Sequence, residues 1–228
     1  MASPSPASAQ RTAPDRRRAA AREHAKNARH AAYRDLVVEA ASEAFARDGV
    51  AATKMEDLAV AAGISLGTLY SVYKGKAEIV DALHETRLRE IHSASVDAEI
   101  AAADPLAAAI AGSRAYLTYF MDRPDYLRMY LDEGANWGVR RSMVGASRSA
   151  QVWNDGVARL AEIFARGIAR GVFEDGDPDR QARTMLAMQQ VLLADWFEDG
   201  RTASADDLMQ DVKTLLRRTF CTPEWRER

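Results

Sequence analysis

Residues 53–76 read Thr-Lys-Met-Glu-Asp-Leu-Ala-Val-Ala-Ala-Gly-Ile-Ser-Leu-Gly-Thr-Leu-Tyr-Ser-Val-Tyr-Lys-Gly-Lys, a stretch in which each joint between two short helices carries its own chemical mark. Thr53 followed three residues later by Glu56 has the spacing of a capping box, so a helix is expected to start near Lys54. Leu58, Ala59 and Ala62 give that helix one apolar stripe. Gly63 stands where a sharp turn needs a left-handed backbone, and Ala59 is small enough for two helices to touch. Ser65 is a side-chain cap for a second helix running to about Tyr73. Helix, three-residue turn and helix together form a helix-turn-helix at residues 54–73, a device that sets one helix in the DNA major groove.

Charge is distributed in keeping with that reading. The whole chain carries a formal charge of only −2, but residues 1–34 hold eight Lys or Arg against Asp15 and Glu23. A basic arm on an acidic body is the electrostatic footprint of a phosphate-binding end. Pro4, Pro6 and Pro14 among Ser and Ala leave the arm too little apolar surface to order itself, so residues 1–24 are expected to be disordered without DNA. From about Ala25 a helix follows, with Leu36, Val37, Ala40, Ala41, Ala44 and Phe45 as its core face and Gly49 as its end. Lys76 opens another helix reaching about Ser95.

The remainder reads as helices throughout. Asp104-Pro105 starts one that Arg123-Pro124 breaks, a shorter one follows to Gly134, and a long one is expected from Met143 to Arg170. Two more close the chain, at about 178–199 and 205–219. No stretch alternates with period two, so the fold class is all-α. At 228 residues, 47% hydrophobic and 28% charged, the chain has enough apolar content for an adequate core. The helix from Pro178 carries Met185, Leu192 and Trp196 among apolar residues spread almost around its circumference, which one domain face alone does not cover.

The run Ala62 to Tyr70, the preceding helix from Tyr33 to Gly49, and Lys76 opening the next helix resemble the DNA-binding domain of the tetracycline-repressor (TetR) family. The resemblance spans roughly residues 31–91, and beyond it the likeness is one of helical architecture. It implies a basic arm (1–24), a three-helix DNA-binding domain (25–91) and a helical ligand-binding and dimerisation domain (92–228).

Candidate contacts to DNA are drawn from both sources. Gly67 permits close backbone approach, Ser65, Thr68 and Ser71 carry hydroxyls, and Lys54 and Lys76 place cations at helix starts where amides also favour phosphate. Arg29 belongs to the basic segment beside them. The resemblance makes Thr68 and Tyr70 phosphate contacts that set register. Val72 is assigned to the groove, where the family often has His or Tyr; valine offers only apolar contact to a thymine methyl.

In the larger domain the resemblance assigns Tyr116, Phe120, Tyr130, Trp137 and Trp153 to an effector cavity between helices. It assigns Met185, Leu192, Trp196, Leu208 and Leu216 to a four-helix dimer interface. Core packing is the competing explanation for both sets.

The partners expected are double-stranded DNA with an inverted repeat, a small and largely apolar effector, and a second copy of the chain. Two functions remain open at this point: a ligand-released repressor, and a ligand-blind architectural or activating DNA-binding protein. An enzyme is not expected, since four histidines and the single Cys221 come with no nucleophile elbow, phosphate loop or metal-ligand spacing. His84 and His92 are eight residues apart, too far for one metal, and no metal or cofactor is expected. Neither a membrane span nor the apolar region of a signal peptide is present, which points to the cytoplasm. An Arg-, Ser- and Ala-rich start also fits a transit peptide, and the regulator-like helices after it favour an arm.

Overall fold

The structure, a computed structural model, describes residues 13–132 and 147–227. Among the described residues ten helices follow in order: α1 (Ala13–Ala52), α2 (Met55–Ala61), α3 (Leu66–Val72), α4 (Lys76–Ile100), α5 (Pro105–Met121), α6 (Pro124–Asp132), α7 (Arg148–Ala169), α8 (Pro178–Glu198), α9 (Ala205–Phe220) and α10 (Pro223–Arg226). Among the described residues the only β pairing is an isolated bridge between Phe173 and Cys221, so the all-α expectation holds. No helix there is long and apolar enough to cross a membrane.

The start of α1 departs from the expected disordered arm over residues 13–24, while residues 1–12 of that arm lie outside the described residues. Residues 13–24 are helical, continuous with the rest of α1. Pro14 sits in the first turn, where its missing N–H costs nothing, and the following Arg-Arg-Arg-Ala-Ala-Ala-Arg run consists of strong helix formers. Weighing burial alone overlooks this propensity. Gly49 adopts φ +79° and interrupts the helix rather than ending it. One further turn follows, closed by Thr53, whose N–H and hydroxyl both donate to the Gly49 carbonyl, at 3.3 and 2.8 Å. Thr53 therefore serves the end of α1. The start of α2 is satisfied one residue later than expected, by the Asp57 carboxylate accepting from the Lys54 N–H at 3.2 Å.

One apolar core runs from the helix-turn-helix into the body. Val37, Ala41 and Phe45 of α1 meet Leu58 of α2, Leu69 of α3, and Ile79 and Leu83 of α4, and the same cluster continues through Phe120, Tyr126 and Trp153. Leu36, expected in this core, is 50% exposed, and Val38 takes its place on the inner face. The proposed boundary at residue 91 falls inside α4, which crosses it without a break. A second cluster binds the far ends of α5, α7, α8 and α9 around Phe164, Phe173 and Phe220. There Phe173 lies where a Cβ on residue 167 would have to be, which is why that position of α7 is glycine.

Candidate nucleic-acid interface and internal cavity

Gly63 takes φ +67°, and the turn closes with the Ile64 N–H donating to the Ala59 carbonyl at 3.0 Å. Ser65 caps α3 as expected: its Oγ accepts from the Thr68 N–H at 3.0 Å and lies 2.8 Å from the Thr68 hydroxyl. The Ser71 hydroxyl donates to the Thr68 carbonyl at 2.6 Å. Leu69, Val72 and Tyr73 point inward, leaving Ser65, Gly67, Tyr70 and Ser71 exposed and Thr68 half-buried on the outer face. Tyr70 is 49% exposed, a large aromatic with no enclosing pocket. Lys54, at the start of α2, and Arg29 of α1 are also exposed.

Two assigned contacts do not stand. Val72 is only 8% exposed, because it lies three residues beyond Leu69 and shares its inward face. It cannot read a base from there. Lys76 turns its ammonium to the carbonyls of Ala51 and Thr53, at 3.0 and 2.9 Å, so it satisfies the end of α1 instead of a phosphate. Arg34 is the last of the eight basic residues in the segment 1–34. Its guanidinium donates to the Val72 carbonyl at 3.1 Å and stacks 4.4 Å over the Tyr73 ring, clamping the end of α3 to α1. Nothing in the local sequence announces a contact between residues so far apart.

Arg18, Arg22, Lys26 and Arg29 fall at i, i+4, i+8 and i+11 on α1, so they share one helix face about 16 Å long. All four are exposed. They project from the segment that Arg34 anchors beside α3.

The larger part of the chain holds a cavity of about 70 Å³, open on one side, between α4, α5, α7 and α8. Tyr116 and Trp153 line it. Phe120 and Tyr130 do not: Phe120 stacks on Tyr126 with centroids 5.6 Å apart and packs 5.2 Å from Tyr130, so both are core. Trp137 lies outside the described residues. Polar lining groups that the sequence reading missed include His92, Glu99, Ser113, Arg159 and Gln189. Arg159 joins the Glu99 carboxylate through Nη1 and donates from Nε to His92 Nε2 at 3.0 Å. Burial first, and then Arg159, lower the His92 pKa, whereas burial raises that of Glu99 against the opposing pull of Arg159. These residues come from helices distant in sequence, and a lone polar residue on an apolar helix gives no local sign of its partners.

Asp81 connects the two regions. Projecting from α4, its carboxylate accepts from the Ser149 hydroxyl and from the N–H groups of Arg148 and Ser149, at 3.3 and 3.4 Å, and so holds the start of α7.

The assigned dimer residues are also largely internal. Met185, Trp196, Leu208 and Leu216 are buried within the subunit, and only Leu192 is partly open. The buried positions of α8 are Ala182, Met185, Gln189, Leu193 and Trp196, a single helical stripe covered by the chain itself. What remains outside is an apolar flank around Val191, 59% exposed.

A capped helix-turn-helix with a hydroxyl-rich outer face, carried on a helical body, defines a DNA-binding transcription regulator. Residues 37–83 match the family model described as bacterial regulatory proteins, tetR family. Over 164 residues the chain is 25% identical to the uncharacterized HTH-type transcriptional regulator YhgD of Bacillus subtilis (strain 168), covering 71% of this chain and 82% of that protein. Its fold is similar to that of the TetR family transcriptional regulator PfmR from Thermus thermophilus, with 24% identity, 80% of this chain and 97% of that one covered, and a TM-score of 0.63. It is similar also to the Bacillus subtilis transcriptional regulator FadR in complex with stearoyl-CoA, with 16% identity, 79% and 96% covered, and a TM-score of 0.64. Residues 37–83 thus carry a DNA-binding domain of the tetR family type.

Proposed function

We propose that the protein is a homodimeric repressor that holds an inverted-repeat operator and is released by a small, largely apolar effector. The observation that carries this reading is the continuity of α4. Its first half packs Ile79 and Leu83 into the core shared with the helix-turn-helix, while its second half lines the cavity with Leu88, Ile91, His92, Ser95 and Glu99. A molecule wedged against the second half therefore pushes on the element that seats the first. Asp81 adds a second route, from the start of α7 to α4.

On the DNA side, Ser65, Gly67, Thr68, Tyr70 and Ser71 of the α3 face enter or border the groove, and Lys54 lies on a phosphate. The stripe from Arg18 to Arg29 follows the backbone outside each half-site, adding affinity rather than sequence preference. Dimerisation uses the flank of α8 around Met188, Val191 and Leu192, with Leu215 of α9, in place of the buried residues first assigned. The apolar character of the effector is supported by the cavity's Leu, Ile, Val and Trp lining.

Selection from random DNA should recover an inverted repeat. Thr68→Ala and Tyr70→Ala should each weaken its binding by roughly 1–2 kcal/mol, as expected for hydrogen bonds to charged phosphates. Cavity-binding molecules should lower operator affinity, and operator should lower theirs by the same factor. Effector affinities equal with and without operator would leave a DNA-binding protein that does not respond to its ligand.

A further inference from the structure

Besides Ser95 and the Tyr116 hydroxyl, the mainly apolar cavity wall carries two polar stations, and these two restrict what can enter. At one, Glu99 and Arg159 neutralise each other. This pairing is built in, since the Glu99 carboxylate occupies the space a Cβ on residue 112 would fill, and residue 112 is glycine. Arg159 spends Nη1 on Glu99 and Nε on His92. Because His92 Nε2 accepts that bond, the ring is held as the neutral form protonated on Nδ1. The described lining therefore has one cation, one anion and no net charge. An anionic head group brought to Arg159 would face Glu99, and a cationic one brought to Glu99 would face Arg159.

At the other station, Gln189 is 3% exposed. Its Nε2 donates to the Ser113 hydroxyl at 3.3 Å, and that hydroxyl donates onward to the Ala109 carbonyl at 2.7 Å. The amide orientation is thereby set. Gln189 Oε1 is left buried on the cavity wall with no donor. An acceptor stranded in this way is costly, and a partner carrying a donor recovers the loss.

We propose that the cavity selects an uncharged, mainly apolar molecule bearing one hydroxyl or N–H donor, which Gln189 Oε1 accepts. This rests on the reading of the cavity as the effector site and names the chemistry that site takes. It separates this chain from binding of free fatty acids or other amphipathic anions. The open space beside Gly156, where a Cβ would meet nothing within 4 Å, leaves room for the apolar body against Trp153 and Val157.

The test uses full-length protein without DNA and four probes with the same ten-carbon chain: 1-decanol, decyl methyl ether, decanoate and decylammonium, compared by calorimetry at pH 7.5. Decanol should bind about tenfold or more tighter than either ion, and roughly 5- to 10-fold tighter than the ether, the scale of one hydrogen bond. Gln189→Leu should bring alcohol and ether to within about twofold, because neither then finds an acceptor. Glu99→Gln should improve decanoate selectively by freeing Arg159, a gain that a merely misfolded variant would not show. The inference is overturned if decanoate or decylammonium binds tightest to the unsubstituted protein, if alcohol and ether bind equally, or if none of the four binds. Operator is then added as a separate measurement. Decanol that binds but leaves operator affinity unchanged removes the release reading and leaves the selectivity intact. Release driven by decanoate with decanol inert does the reverse.

Discussion

Replacing Gly67 by alanine should move stability and DNA affinity in opposite directions. Gly67 occupies the first turn of α3, a helix of only seven residues, and glycine there weakens the helix by about 0.5–1 kcal/mol relative to alanine. Nothing inside the protein requires it, since a Cβ would meet only the Ser65 Oγ, at an ordinary 3.9 Å. Gly67→Ala should therefore raise the melting temperature by about 1–4 °C for a chain of this size. If the outer face of α3 lies against DNA, the same methyl group enters a close-packed interface. Overpacking of that kind costs about 1–3 kcal/mol, or roughly 5- to 150-fold in operator affinity. Calorimetric unfolding gives the first quantity, and fluorescence anisotropy with a selected operator gives the second. A higher melting temperature with unchanged affinity would refute the placement of Gly67 against DNA. A lower melting temperature would mean that the glycine meets an internal need the geometry does not reveal.

Neutralising Arg18, Arg22, Lys26 and Arg29 to Gln should make the plot of log affinity against log salt shallower by about 0.9 for each residue that lies on a phosphate, with little change in sequence preference; an unchanged slope would make the stripe a solvated face. Val191→Asp should yield folded monomers by light scattering, because it places an unpaired charge in the dimer contact. Leu216→Asp, at a residue 1% exposed inside its own subunit, should instead cost several kcal/mol and unfold the chain, as helical signal in circular dichroism would report. Asp81→Ala should lose about 1 kcal/mol from the start of α7 and reduce the effector's influence on operator affinity from the usual 5- to 150-fold toward none. A preserved ratio of affinities with and without effector would remove Asp81 from the coupling.

What the sequence determined by itself was the part written in short-range chemistry. Caps, turns and apolar spacing act over three or four residues, so Ser65, Gly63 and the stripe through Val37, Ala41 and Phe45 could be assigned from their neighbours alone. The order of helices followed from the same signals, with Asp104-Pro105 and Arg123-Pro124 marking ends that the structure repeats. The early start of α1 lies in helix propensity, which the Arg- and Ala-rich run from Arg16 to Arg22 supplies without burial.

Tertiary structure decided which way ambiguous side chains turn. Valine on a helix serves a groove or a core equally well, and Val72 went inward because Leu69 and Tyr73 pin that face of α3 to α1 and α4. Lysine at a helix start suits a phosphate until two unsatisfied carbonyls come within 3 Å, as those of Ala51 and Thr53 do for Lys76. Apolar residues on α8 and α9 look alike whether they meet a second copy or their own subunit, and burial assigned Met185, Trp196, Leu208 and Leu216 to the subunit. The cavity depended on the fold most of all. His92 and Glu99 of α4, Arg159 of α7 and Gln189 of α8 become one polar wall only when their helices pack, because hydrogen bonds and ion pairs act over a few ångströms of space however long the chain between them.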